Sequence, residues 1–179
     1  MMQTNWRLPR QHYLEEVMTE DEQDQAMNEF LAMVGRYVIV FQWIESKMEE
    51  CLLLWWGHEN WAQSKDRLLN MTNKQKVDTL WKEFRENPAN ERGRSRPDWV
   101  KQFEKLVERL HLERKRRNKL LHSHYLFDFL PIGQPVMQID PKEGNRYLGK
   151  EAQDDIHGAV RDLAIDLSFA HTQVIHDYR

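Results

Sequence analysis

The sequence predicts an all-α fold, an up-and-down bundle of about four or five helices with a short irregular or β-hairpin insert near residues 129–149. Three observations carry this. Long stretches keep apolar residues at alternating steps of three and four, the period of helices with one buried face. The ends of those stretches hold helix-starting and helix-stopping residues. Only residues 129–149 break the pattern, with three of the six prolines and three of the seven glycines. A chain of 179 residues is long enough to bury a core as one domain.

Residues 1–18 read as an N-terminal arm, and residues 19–179 as the single helical domain. Thr19 followed by Glu22 is a capping-box pattern that starts a first helix, and Gly57 ends it after Trp56. Tyr37, Phe41, Ile44, Met48, Cys51 and Trp55 form its apolar stripe. A shorter helix covers Trp61 to Leu69. Thr72 or Asn73 caps a third helix through Asn87, with Val77, Leu80, Trp81 and Phe84 inward. ENPANERGRSRP, residues 86–97, reads as a loop whose last residue, Pro97, suits the first turn of the next helix. That helix is expected to reach about Tyr125. In the insert, Val136, Gln138 and Asp140 suit a short strand, with EGN as a turn toward RYL. The last helix, residues 150–178, buries Ile156, Val160, Leu163, Leu167, Ala170 and Val174.

Composition excludes several classes. The net charge of -3 rules out a general polyanion binder, so a nucleic-acid site has to be local. The single cysteine, Cys51, excludes an intrachain disulfide and sits in an apolar run, as a core thiol does. The first residues hold no apolar leader, and Glu45, Lys47, Glu49 and Glu50 interrupt the most apolar stretch. A cytoplasmic protein without a membrane span is expected. No Gly-rich phosphate loop, P-loop, G-x-S-x-G or H-E-x-x-H occurs, so no cofactor and no metal is expected.

The informative stretch is RRNKLLHSHY, residues 116–125. In the helix from Pro97, the residues Phe103, Leu106, Val107 and Leu110 set an apolar stripe, and Arg114, Arg117, Leu121 and His124 continue it. Asn118, His122 and Tyr125 form a second line. An arginine facing a core is costly unless it is paired or the face opens into a cleft. Glu113, four residues earlier, is placed to pair with Arg117. On an ideal helix His122 lies about 140° around from Arg117.

Arg117-Asn118-Lys119-Leu120-Leu121-His122 resembles the signature of the HEPN superfamily (higher eukaryotes and prokaryotes nucleotide-binding domain): Arg, often a polar residue, and His after a gap of four to six residues, late in a long bundle helix. The resemblance implies a metal-independent endoribonuclease, a toxin or phage-defence effector, acting as a homodimer whose motifs meet in one cleft. An antitoxin or regulatory protein is a further implied partner. Carried over, Arg117 and His122 are the catalytic pair and Asn118 orients them. His124 is the alternative motif histidine, at the longest permitted spacing. Arg114, Lys115, Arg116 and Lys119 add local positive potential for an RNA backbone, and Arg92, Arg94 and Arg96 extend it. Glu45 is placed to pair with a motif arginine across the bundle. Some members carry a Tyr that a partner nucleotidyltransferase modifies with AMP. Here Tyr125 falls three residues after His122, which departs from that pattern.

Three other readings compete. A non-catalytic HEPN module would bind nucleotide, RNA or protein, and would not need His122. A metal site would gather His122, His124 and Asp128, although His-Ser-His on a helix points its imidazoles apart. A purely structural bundle would use its seven tryptophans for oligomerisation. His171 and His176 read as helix-surface residues.

Overall fold

The computed structural model describes residues 17–142 and 144–178, the side chain of His58 excepted. It is a helical bundle with one small antiparallel sheet. The expected arm lies outside the described residues up to residue 16; Met18 N–H then donates to Pro131 O at 3.0 Å.

Helix α1 runs Glu20–Trp56. Thr19 caps it: Glu22 N–H donates to Thr19 Oγ1 at 3.3 Å, and Thr19 N–H donates to Glu22 Oε2 at 2.8 Å. Gly57 ends it at φ 79°, a left-handed value that a side chain disfavours. All six residues of the expected stripe are buried, and α1 packs along α6, Lys150–Tyr178. The six expected inward residues of α6 are buried as well. Helices α2, Trp61–Leu69, and α3, Asn73–Glu86, take their expected places, α3 with a second capping box between Thr72 and Gln75.

The segment expected as a loop, 86–97, is instead ordered. It holds a 3-10 turn at Pro88–Asn90 and a short helix α4, Glu91–Arg94. Its arginines close the end of the bundle: Arg94 Nη1 donates to Phe84 O at 3.3 Å, Arg96 pairs with the buried Asp177 of α6, and Arg92 Nε lies 4.0 Å from the same carboxylate. Charge pairing with a distant helix overrides a local composition that reads as coil. Of the three arginines proposed to extend an RNA track, Arg96 is paired with Asp177 and Arg94 is bound to backbone carbonyls, whereas the Arg92 side chain is 62% exposed.

Helix α5, Pro97–His122, stops three residues short of the expected end. The chain leaves it at Ser123 and enters strand β1, His124–Leu126, which pairs antiparallel with β2, Met137–Asp140; β3, Gly144–Tyr147, completes the sheet. The core lies between α1, α3, α5 and α6. At one end Phe84 and Phe103 stack with ring centroids 4.0 Å apart, walled by Trp55, Trp81 and Trp99. The tryptophans at this end serve the core.

His171, expected at the surface, is buried on α6, and its Nε2 lies 2.8 Å from Glu50 Oε2. Burial, followed by the Lys47 ammonium, pulls its pKa below the usual value and outweighs Glu50. A depressed folded-state pKa contributes stability that is full above the unfolded value, about 6.5, and is lost as the pH falls through the lowered one. His171→Gln is therefore expected to flatten the drop in Tm between about pH 6.5 and pH 5, read by circular dichroism melts across that range.

Among the described residues no helix is long and apolar enough to cross a membrane.

Candidate functional site at the end of helix α5

The buried line of α5 runs Phe103, Leu106, Leu110, Glu113 and Leu120, with Arg117 on the same line one turn before Leu120. The sequence places Arg114 on this face. The line instead turns through Glu113, which is only 4% exposed. Tyr37 OH donates to Glu113 Oε1 at 2.7 Å, and Arg116 Nη1 donates to Oε2 at 2.7 Å. Glu113 therefore pairs with Arg116, not with Arg117 as the four-residue spacing suggests. A buried carboxylate is tolerated because both of its oxygens are used.

Burial holds the Glu113 carboxyl above the usual range, while Tyr37, Arg116 and Arg109 pull it back. Burial, with Glu113 beside it, also raises the Tyr37 phenol. A raised folded-state carboxyl contributes stability that is full below the unfolded value of 4.5 and is lost as the pH rises through the raised one. Tyr37→Phe removes a donor from this carboxylate and is expected to cost about 1–3 kcal/mol in urea unfolding. Glu113→Gln keeps an acceptor for Tyr37 and removes the buried charge, so it is expected to cost less at neutral pH.

Arg117 is half-buried. Its guanidinium carbon lies 6.0 Å from the Phe41 ring centroid on α1, and Nη1 donates to Asn118 Oδ1 at 3.3 Å. Asn118 therefore does touch the motif arginine. Glu45, half-buried on α1, faces the same space. Burial raises its carboxyl, with Lys76, Arg117 and a hydrogen bond to Asn73 opposing the rise. The field of Arg117 reaches Glu45, but among the described residues the two form no ion pair; Lys76 is drawn to Glu49 at 2.6 Å. The result is a cation held over an aromatic ring, partly desolvated and not neutralised by direct contact.

His122, the last residue of α5, is exposed. No hydrogen bond or ion pair joins Arg117 to His122 among the described residues. α5 continues as helix to His122, so the two groups stand about 7.5 Å apart along the axis and about 140° around it. One copy does not bring them to a point. His124 has left the helix, so helical periodicity no longer aligns it with Arg117.

What fixes His122 and His124 is a polar knot between them. Ser123 Oγ donates to Lys119 O at 2.8 Å, closing the helix. Gln138 of β2, fully buried, donates from Nε2 to Lys119 O, Ser123 Oγ and Tyr125 OH at 3.3, 3.1 and 3.3 Å. Arg146 Nε donates to Gln138 Oε1 at 2.7 Å. Sequence reading named Gln138 only as a strand residue. Its inward place in the alternation with Val136 was the available signal.

Tyr125 belongs to this knot rather than to a helix face. Its hydroxyl donates to Leu120 O, its ring packs on Phe30 with centroids 5.0 Å apart, and burial raises its pKa. An engaged, half-buried hydroxyl is a poor acceptor of AMP. Tyr125→Phe is expected to cost about 1 kcal/mol of stability, as urea unfolding beside wild type would show.

The expected RNA-binding cations divide. Arg116 is paired with Glu113, and Lys119 Nζ lies 3.8 Å from Asp140. Lys115 is exposed, and Arg114 is half-buried with Nε lacking a hydrogen-bond acceptor. His122, His124 and Asp128 do not converge: among the described residues no three His, Cys, Asp or Glu side chains gather as a metal site. Cys51 is fully buried, and burial pushes its thiol up to about 12, which makes it no nucleophile.

Compared with known proteins, the chain matches no family model, no curated protein and no solved structure.

Proposed function

We propose that this protein is a metal-independent endoribonuclease of the HEPN type, with Arg117 and His122 as the catalytic pair and Asn118 orienting the arginine. The observation that carries the reading is the Arg117 guanidinium over Phe41, kept out of direct ion pairing, in the last turns of a helix that ends on an exposed histidine. By contrast, Arg96 is matched to Asp177 and Arg116 to Glu113.

The chemistry follows from these groups. The substrate 2′-OH gives up its proton to an imidazole and attacks the adjacent phosphorus. Negative charge grows on the non-bridging oxygens, and the guanidinium meets it with fixed, paired donors. The P–O5′ bond breaks and the leaving oxygen takes a proton. The products are a 2′,3′-cyclic phosphate and a 5′-OH, with water consumed in neither.

Because Arg117 and His122 of one copy do not converge, the reading calls for a second copy that sets one motif against the other. Toxin or defence effector is the role proposed for such an activity, with an antitoxin or regulatory protein as its partner.

The test incubates labelled single-stranded RNA in EDTA with wild type, His122→Ala and His124→Ala. Cleavage lost only in His122→Ala supports the assignment. Loss only in His124→Ala moves the histidine role to β1, and equal cleavage by all three removes the proposal.

A further inference from the structure

The outer face of the sheet is used neither by the core nor by the α5 knot. Residues paired across a ladder share a face. Tyr125, Gln138 and Arg146 share the inner one, where Gln138 is buried and Tyr125 meets Phe30. The other face carries two rows: His124, Ile139 and Asn145, and beside it Leu126, Met137 and Tyr147. Ile139, Met137 and Leu126 make a half-buried apolar floor, while His124 and Asn145 are exposed. Tyr147 is 45% exposed, and the Phe129 ring braces it edge-on, 6.5 Å between centroids. None of the six residues is an acid or a fixed cation.

We propose that this face is a nucleobase-binding platform for single-stranded RNA, with Tyr147 stacking a base and Asn145 with His124 reading its edge. A nucleobase is a flat apolar surface with donors and acceptors on its rim, and this face offers an aromatic ring beside an amide and an imidazole. A cation lies at its border: Lys142 in the turn, exposed. His124 stands two residues from His122, so a base held here leads its own phosphate toward the end of α5. Size argues against a second copy as occupant. Three strands of this length span about 13 Å by about 14 Å, on the order of 200 Å², whereas a specific protein interface buries roughly 800 Å² per partner. One or two bases fit that area.

The identity of the ligand rests on the ribonuclease reading. The test separates the two by using a fluorescent 2′-O-methyl oligonucleotide, which cannot be cleaved by 2′-OH attack, and measuring its binding by anisotropy in EDTA. Wild type is compared with Tyr147→Ala, Tyr147→Trp and Phe169→Ala, the last an exposed aromatic on α6. Folding is checked by circular dichroism and mass by light scattering. Tyr147→Ala is expected to weaken binding about ten-fold or more, Tyr147→Trp to restore it to within about three-fold, and Phe169→Ala to change nothing. Binding by Tyr147→Ala equal to wild type overturns the platform while leaving the ribonuclease reading intact, provided wild type cleaves the 2′-OH form. No binding or cleavage by wild type overturns both. A changed mass in Tyr147→Ala, with unchanged affinity, overturns the platform in favour of a contact between copies.

Discussion

Arg117→Ala is expected to lower the single-turnover rate of RNA cleavage by about 10²–10³-fold, the loss seen when one donor to a developing oxyanion is removed. On the proposed mechanism the fall belongs in kcat more than in KM, because there the guanidinium meets charge that exists only in the transition state. Arg117→Lys should recover little: a lysine keeps the charge but loses the planar pair of donors. Stability should change by no more than about 1 kcal/mol, since the guanidinium is only half-buried and forms no ion pair among the described residues. Melts of the two variants beside wild type check this. Loss of the fold in Arg117→Ala would make the arginine a structural element and remove it from the chemistry.

Phe103→Ala is expected to give the largest loss of stability in the molecule, about 3–5 kcal/mol. Phe103 is 1% exposed and stacks on Phe84 at 4.0 Å, with Trp55 and Trp99 against its edges. Truncation removes the transfer energy of the ring and leaves a hole that rigid indoles cannot close. A fall of more than about 1 M in the urea midpoint is expected. The fold of this size has roughly 5–15 kcal/mol in all, so the variant should be partly unfolded well below the wild-type Tm. This end of the bundle lies away from the end of α5, so a folded fraction of Phe103→Ala should keep its activity per folded molecule.

The bundle was legible in the sequence because its helices announce themselves locally. The capping box at Thr19 is read within three residues, the cap of α3 is narrowed to Thr72 or Asn73, and the stripes of α1 and α6 repeat without interruption. What was not legible depends on partners far away in the chain. Glu113 is buried because Tyr37, 76 positions earlier, supplies a hydroxyl. Residues 86–97 are ordered because Asp177 waits at the other end of the protein. The end of α5 carries no glycine or proline; Ser123 and pairing of His124 with Ile139 end it. A periodicity argument carries the helix past that point, which is why Tyr125 and His124 were expected on helix faces. At the end of α5, the contact of Asn118 with Arg117 was readable, whereas Gln138 and Arg146 enter only through the folded geometry.

The central claim is that the end of α5 breaks RNA by attack of the substrate's own 2′-OH. Mass spectrometry of the ends left on a short oligoribonucleotide, after incubation with wild type and His122→Ala in EDTA, tests it most directly. Wild type is expected to leave 2′,3′-cyclic phosphate and 5′-OH ends, and His122→Ala to leave the RNA uncut. Products carrying 5′-phosphate ends, or identical products from both proteins, would contradict it.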